Sequence, residues 1–217
     1  MSGIDKILKI LTSMLSATVV SVEVFFLTLV FAIPLAVFIC AGRMSRITVL
    51  REFVKLVLLV VRGTPLMLQL ICVYFIPGQI FALKLDRFVA AIIALSVNYA
   101  CYFAEIYRGG FESIPVGQYE ACKVLGYTGT QTFFHIICPQ VIKRIIAPMG
   151  NEVMTLVKDT ALVQVIGVVE LLQISKTTAS RLFSTVPLFI AGLFYLIMNA
   201  LVVIVFNKLE KKLSYYK

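Results

Sequence analysis

Long apolar segments constrain this chain more than any other feature. A helix needs about 20 mostly apolar residues to cross the hydrocarbon core of a bilayer. Five segments meet or approach that length: residues 14–40, 54–75, 88–107, 141–157 and 186–206. The chain is 60% hydrophobic and 14% charged, whereas a soluble domain is about 45–50% apolar and about 25% charged. The sequence therefore predicts an all-α polytopic membrane protein with five transmembrane helices.

The span count leaves one alternative open. Segment 141–157 is the weakest of the five because it contains Lys143, Arg144, Asn151 and Glu152. Residues 161–172 form a further apolar run that is too short to cross alone, so it either extends the fourth span after a turn or dips in and returns. Six spans are the alternative to five.

The basic residues predict the orientation. The formal net charge is +9, and in membrane proteins Lys and Arg accumulate on the cytoplasmic side. With five spans, the C-terminal tail and the loops after the first and third spans lie on one side, and they hold most of the Lys and Arg residues. We therefore expect the N-terminus outside and the C-terminus inside, and we interpret the charge as topology, not as a nucleic-acid site.

The first 13 residues predict a short helix at the membrane interface. Ile4, Ile7, Leu8 and Leu11 follow helical spacing, and the charged residues of the segment lie off that stripe.

A long connection, residues 108–140, follows the third span. Connections in compact domains are usually much shorter, and long ones are often functional. Residues 116–125 predict a helix that Gly126 ends in a left-handed conformation. A second helix is predicted at 130–138, stopped by Pro139. The small residues Ala121 and Cys122 would let a partner approach closely, although a folded linker explains the pattern equally well.

Four motifs resemble one known family. Glu120-Ala121-Cys122, Gly126, Ile136 and Cys138-Pro139 resemble the EAA loop of ATP-binding-cassette (ABC) importer permeases, with Cys122 and Cys138 replacing Ala and Leu. Three further motifs are similar to those of the polar amino-acid branch: Arg62-Gly63-Thr64-Pro65-Leu66 with Gln69-Leu70, Ala104-Glu105-Ile106-Tyr107-Arg108-Gly109-Gly110, and Lys158-Asp159-Thr160-Ala161-Leu162. The resemblance begins near Val20 and continues to the C-terminus.

The resemblance implies a fold, a location and a set of partners. It implies a type I importer permease fold in one transmembrane domain, residues 1–217, in a bacterial cytoplasmic membrane. The expected partners are an ABC ATPase dimer, a second permease subunit (identical or similar), an extracytoplasmic substrate-binding protein, a polar amino acid and membrane lipid. ATP and Mg would be bound by the ATPase, and this chain would hold no cofactor. The loop 108–140 would carry the coupling helix that docks on the ATPase, with these coupling residues: Gly117, Glu120, Ala121, Gly126 and Pro139.

A polar stripe in the fourth span predicts a substrate site. Glu152 and Asp159 are two helical turns apart and share a face, Asn151 and Lys158 lie one step round, and Thr155 lies between. Charges inside a membrane need a partner or a water-filled cavity. A stripe of both signs suits a zwitterionic amino acid, whereas pairing of Lys158 with the two acids would be purely structural.

Other polar residues inside spans leave alternatives open. Asn98 either faces the same cavity or bonds a neighbouring helix. Thr64 precedes Pro65 at a helix break that either lines the site or is a packing kink. Arg62 suits a carboxylate, Glu105 or a lipid phosphate. For Glu23 we expect an interhelical hydrogen bond, with a ligand role as the alternative. The predicted substrate residues are therefore Thr64, Asn98, Glu152, Thr155, Lys158 and Asp159.

The sequence holds no motif for chemistry of its own. There is no G-x-x-x-x-G-K-[ST] phosphate loop, no H-E-x-x-H and no Cys/His cluster with metal spacing. One histidine, His135, leaves little scope for general-base catalysis, and we expect it on the surface or at the ATPase. We therefore predict a non-catalytic subunit without a catalytic or metal site. A self-contained secondary transporter or channel using the intramembrane acids is the alternative.

Overall fold

The computed structural model describes the backbone of residues 3–213 and the side chains of residues 10–213. All regular structure in that part of the chain is helical. The longer helices are α1 (Gly3–Arg43), α2 (Thr48–Gly63), α3 (Leu66–Phe81), α4 (Arg87–Glu112), α7 (Cys138–Asp159), α8 (Leu171–Leu182) and α9 (Val186–Lys212). The shorter ones are α5 (Val116–Val124), α6 (Gly129–Gln131), a π-helical segment at Thr132–Ile137 and a 3₁₀ helix at Thr160–Ile166.

Three of the described helices are long and apolar enough to cross a membrane, namely α1 from Ile10, α4 and α9. The bent pair α2 and α3 makes a fourth if it is counted as one span. Helix α7 covers the predicted segment 141–157, but its charged residues make it too polar to qualify in the same way. The count of five spans and the orientation stay predictions.

The predicted second span, residues 54–75, is not one continuous helix, and whether the bent pair crosses the membrane once stays a prediction. The chain breaks between Gly63 and Leu66, and α2 and α3 meet at 108°. Pro65 causes the break because it disfavours helical geometry in the residue before it, and Thr64 is extended, with φ −113° and ψ 149°. The proline therefore separates two helices instead of kinking one.

Helix α4 lies at the centre of the fold, with α1 packed along it and α3 and α7 on its other sides. Small residues permit the close approach: Ala32 and Ala36 of α1 and Ala90 and Ala94 of α4 are all buried. Larger side chains, among them Phe103, fill the space between the helices. Asp86 begins α4 by accepting from the Phe88 and Val89 amides at 2.9 and 3.2 Å.

Helix α1 continues without a break from Gly3 to Arg43. Residues 3–13 are thus the first turns of the long helix and not a separate helix, while residues 1 and 2 lie outside the described part. The position of this segment at the membrane interface stays a prediction.

The connection after α4 agrees with the sequence up to Gly126. Helix α5 occupies the predicted segment, and Gly126 has φ 76°. The Tyr127 amide donates to the Cys122 carbonyl at 3.0 Å and the Gly126 amide donates to Lys123 at 3.1 Å, which together form a Schellman cap.

The prediction that Pro139 stops a helix is wrong. The chain remains helical from Gly129 to Asp159, and Pro139 lies in the first turn of α7. The reason is the π-helical segment just before it, where the Cys138 amide donates to the Phe133 carbonyl. This wider turn replaces the i→i−4 ladder that a proline ring would obstruct.

The apolar run 161–172 does not form one continuous helix. After Asp159 the chain tightens into the 3₁₀ helix Thr160–Ile166, and Gly167, with φ 83°, turns it away. Glu170 then begins α8, which leads into α9.

Candidate substrate and coupling sites

The predicted polar stripe lies on one continuous helix. Because α7 is unbroken up to Asp159, Glu152 and Asp159 share a face. Both acids are half-buried, and Lys158 is exposed. Thr155 donates to the Asn151 carbonyl at 3.1 Å, so its hydroxyl is engaged within the helix.

Lys158 does not neutralise the two acids. Among the described side chains, no ion pair within 4.0 Å joins Lys158 to Glu152 or Asp159. The structural pairing that the sequence left open is therefore absent from this part of the chain, and the lysine ammonium and the Glu152 carboxylate are both available to a ligand.

Asp159 is held by a residue that the sequence analysis did not place in the site. The buried Tyr99 hydroxyl of α4 donates to Asp159 Oδ2 at 2.7 Å. The Tyr99 ring lies 6.4 Å from the ring of Tyr102 and 6.0 Å from that of Phe103, measured between centroids. The hydrogen bond fixes one carboxylate oxygen, and the other remains free to accept from an ammonium group.

Thr64 and Asn98 belong to one network centred on Gln69. The Gln69 amide donates to Thr64 Oγ1 at 2.8 Å and to the Val61 carbonyl at 2.6 Å. Buried Asn98 donates to Gln69 Oε1 at 2.9 Å, so it does bond a neighbouring helix. In the sequence, Gln69 was noted only as a member of a motif. Its position one turn after Pro65 could have indicated that its side chain bridges the break between α2 and α3.

Arg62 lies beside Glu105, one of the pairings considered for it. Its Nη1 is 3.7 Å from Glu105 Oε2, and its guanidinium lies 5.1 Å above the Tyr102 ring. Glu105 also accepts two hydrogen bonds from Arg108, at 2.8 and 3.1 Å. The Tyr102 ring lies 6.4 Å from that of Tyr99, which bonds Asp159, so the Arg62–Glu105 pair lies near the polar face of α7.

The expectation of an interhelical hydrogen bond for Glu23 is wrong for the described side chains. Glu23 is exposed and has no such partner there. An acid that does join helices is Glu170, which lies in the apolar run 161–172 and which sequence reasoning did not single out. Glu170 is fully buried and accepts from Tyr195 at 2.9 Å and from the Leu172 and Gln173 amides at 2.7 Å each.

The coupling candidates lie on an exposed helix. Gly117, Glu120 and Ala121 of α5 and Gly126 after it are exposed, whereas Cys122 is buried against the body of the protein. Pro139 lies half-buried at the start of α7. Apolar side chains are exposed on and after α5, with Val124 at 88% and Leu125 at 73%. Such side chains on a short surface helix favour a docked partner.

A small apolar cluster joins the C-terminal end of α4 and the α4–α5 turn to the π-helical segment and α7. Ile114, Ile137 and Val141 are buried together, and the Phe111 and Phe133 rings stack with centroids 5.8 Å apart. Polar contacts add to it: Gln140 donates to Gln118 Oε1 at 3.2 Å, and Arg144 donates to the Ser113 carbonyl. The chain on both sides of α5 is therefore packed against the helix that carries Glu152 and Asp159.

The described residues contain no group of three or more His, Cys, Asp or Glu side chains that could hold a metal ion. His135 is exposed, and the five cysteines are free.

Comparison with known proteins places these features in context. Residues 32–215 match the family described as "Binding-protein-dependent transport system inner membrane component". The arginine transport system permease ArtQ of Bacillus subtilis (strain 168) is 37% identical over 71% of each chain. The L-cystine transport system permease TcyB of the same strain is 34% identical over 88% of this chain and 82% of its own length. The glutamine transport system permease GlnP of Escherichia coli (strain K12) is 34% identical over 71% and 72%.

Solved structures are similar over nearly the whole chain. The crystal structure of an amino acid ABC transporter with histidines superposes with a TM-score of 0.88 at 28% identity, covering 98% of this chain and 99% of that one. An inward-facing structure of the MetNI methionine ABC transporter superposes with a TM-score of 0.74 over the same shares. At 18% identity, that second likeness shows the fold alone.

Proposed function

Because the chain belongs to the family of binding-protein-dependent transport system inner membrane components, it is a permease subunit of an ABC amino-acid importer, and we propose how its residues divide that work. The family is a membrane component, and the helices have the apolar character that a membrane requires. The proposal concerns three things: the substrate site, the contact with the ATPase and the arrangement in the membrane.

The substrate is a polar amino acid, bound on the α7 face that carries Glu152, Thr155, Lys158 and Asp159. The α-ammonium is attracted by the carboxylates, and Asp159 is pre-oriented by its 2.7 Å hydrogen bond from Tyr99. Lys158, which has no ion pair among the described residues, supplies a cation for the α-carboxylate. The relatives that transport arginine, cystine and glutamine support this substrate class.

Thr64 and Asn98 shape the same site from the opposite side. Both are engaged with Gln69, so they act on the substrate through the position of the α2–α3 break. Broken helices at membrane depth commonly line transporter sites. A ligand that replaces a hydrogen bond of Gln69 would therefore contact the α2–α3 break.

Helix α5 docks on the ATPase through Gly117, Glu120 and Ala121, and Gly126 and Pro139 set its joints to the rest of the chain. The single observation that carries this assignment is an exposed apolar surface on α5 whose preceding turn is anchored to α7 by the buried cluster of Ile114, Ile137 and Val141. Closure of the ATPase on ATP moves α5, and the cluster passes that movement to α7. ATP and Mg are bound by the ATPase, and this chain contributes no catalytic group.

In the bacterial cytoplasmic membrane, the chain crosses five times with its N-terminus outside and its C-terminus inside. It pairs with a second permease subunit, identical or similar, and receives substrate from an extracytoplasmic binding protein. The apolar exposed surface of α9 supports a lipid or subunit contact, since residues such as Leu193, Leu196 and Leu201 are more than half exposed.

Reversal of one charge on α5 tests the coupling assignment. We expect Glu120→Lys to abolish ATP-driven amino-acid uptake in proteoliposomes while the permease still inserts and remains thermally stable, because Glu120 is exposed and has no partner in the described chain. Glu210→Lys reverses an exposed acid of α9 and serves as the matched control. Normal uptake in Glu120→Lys would contradict the docking role, and uptake driven by protons without ATP would contradict the proposed function as a whole.

A further inference from the structure

A cavity of about 410 Å³ lies between the C-terminal end of α1, α2 and the middle of α4. Its lining contains three cationic side chains, Arg43, Lys55 and Arg62, and one carboxylate, Glu105. Leucine side chains and the Tyr102 ring complete the wall. Neither the coupling helix nor the α7 stripe contributes to this lining. The excess of positive charge favours an anionic occupant.

Glu105 accepts no hydrogen bond from Arg43 or Arg62. Arg108, which is outside the lining, donates to both oxygens of Glu105 at 2.8 and 3.1 Å. Arg43 and Arg62 each approach the same carboxylate only to 3.7 Å, beyond hydrogen-bond distance. Within the described side chains neither guanidinium donates a hydrogen bond. Two planar forks of N–H donors therefore face a cavity with their hydrogen-bonding capacity unused.

The two guanidiniums are held in place without those hydrogen bonds. Arg62 lies over the Tyr102 ring at 5.1 Å, and Arg43 is largely buried, with 23% of its side chain exposed. An arginine fork of fixed orientation matches the two oxygens of a carboxylate or phosphate. Preorganised donors reduce the entropic cost of binding such a group.

The C-terminal end of α2, which lies beside the cavity, repels an anion less than an uncapped helix C-terminus would. Helix α2 ends at Gly63, where unpaired carbonyls would repel negative charge. The Val60 carbonyl accepts from Thr64 Oγ1 at 2.8 Å, and the Val61 carbonyl accepts from Gln69 at 2.6 Å. These side chains satisfy two of the terminal carbonyls.

We propose that the Arg43–Arg62 cavity is an oxyanion site, which receives either the carboxylate of the transported amino acid or the phosphate of an anionic lipid headgroup. The amino-acid source rests on the proposed function, because the cavity-lining Tyr102 ring lies 6.4 Å from that of Tyr99, which bonds Asp159 of the substrate face. The lipid source rests only on the cavity and on the exposed apolar side chains of α2 around it, such as Leu59 at 70%.

Arginine modification tests the site in the complete transporter. The permease is purified with its ATPase and second permease subunit in phosphatidylcholine nanodiscs, and labelling by phenylglyoxal is followed by peptide mass spectrometry. Arg51 is an internal control, because it lies on α2 outside the lining and its exposed fraction of 39% is close to the 41% of Arg62. We expect inorganic phosphate to slow labelling of Arg43 and Arg62 relative to Arg51.

Two further arms identify the source. Protection by acetate and by L-glutamine indicates the carboxylate of a substrate, whereas protection by added phosphatidylglycerol indicates a lipid headgroup. Loss of a charge-assisted hydrogen bond weakens binding about tenfold or more, so Arg62→Gln raises the phosphate concentration that half-protects Arg43 by about that factor. Arg51→Gln leaves it unchanged, and Arg62→Lys, which keeps the charge without the fork, gives a partial effect.

Equal labelling of the three arginines with and without phosphate overturns the proposal. So does protection by phosphate that neither an amino acid nor phosphatidylglycerol reproduces. The labelling requires neither ATP nor uptake. Normal uptake by Glu120→Lys would contradict the docking role within the proposed function, whereas lack of protection of Arg62 would contradict only the oxyanion site, so the two failures are distinguishable.

Discussion

Replacement of Gly110 by alanine tests the joint between α4 and α7, through which α5 would act on the substrate face. A Cβ at position 110 would overlap Ile145 Cγ2 and lie 3.0 Å from Val141 Cγ1. Both neighbours are methyl groups of β-branched side chains on a helix, whose rotamers are stiff, so the helices must separate to make room. The adjacent Gly109 is a matched control, because a Cβ there meets nothing within 4 Å.

The expected magnitude follows from two opposing terms. Alanine is about 1 kcal/mol more favourable than glycine inside a helix, and this gain applies to both variants. Overpacking costs about 1–3 kcal/mol and applies only at Gly110. The two variants should therefore differ by about 1–3 kcal/mol, which corresponds to about 2–12 °C in the unfolding midpoint of a chain of this size.

The assay is thermal unfolding of the purified transporter, together with the ratio of ATP hydrolysed to amino acid imported. We expect Gly109→Ala to match or exceed the parent protein in stability with an unchanged ratio. Gly110→Ala should unfold at a lower temperature than Gly109→Ala and should hydrolyse more ATP per amino acid. Equal midpoints and equal ratios for the two variants would refute the close-packing argument.

Two further substitutions test the polar contacts between helices. Tyr99→Phe keeps the ring but removes the hydrogen bond to Asp159. At about 1 kcal/mol for such a bond in a membrane, KM for uptake should rise about fivefold with kcat less affected. Tyr107→Phe, on the same helix but outside both proposed sites, should leave KM unchanged. Glu170→Leu leaves the Tyr195 hydroxyl and two amides without their buried acceptor. Each unsatisfied group costs about 1–3 kcal/mol of stability, so the unfolding temperature should fall sharply. Glu23→Leu, at an exposed position, is the control and should not lower it. Equal stability of the two leucine variants would contradict the structural role of Glu170.

Features that depend on neighbours along the chain were predictable. The bounds of α5 and the left-handed Gly126 follow from helix-forming residues and a glycine cap, which act within a few residues. The helical class follows from apolar segments of bilayer length. The shared face of Glu152 and Asp159 follows from helical periodicity alone.

Features that depend on residues distant in the sequence could not be predicted. Gln69 and Asn98 are 29 residues apart, Tyr99 and Asp159 are 60 apart, and Ser21 and Glu170 are 149 apart. Nothing in the local pattern of either partner indicates the other. Pro139 shows a related limit: its effect on the helix was misjudged because the π-helical segment before it changes which carbonyl the ring meets.

The sequence by itself determined that this chain is a helical membrane protein, which motifs it carries and which residues are exceptional in an apolar background. Those conclusions rest on composition, periodicity and short-range sterics, each of which is encoded in contiguous residues. Only the tertiary structure decided that α2 and α3 diverge at 108°, that Tyr99 holds Asp159 and that two arginines from different helices border one cavity. The physical reason is that a side chain's partner is chosen when helices pack, and packing geometry depends on every helix at once.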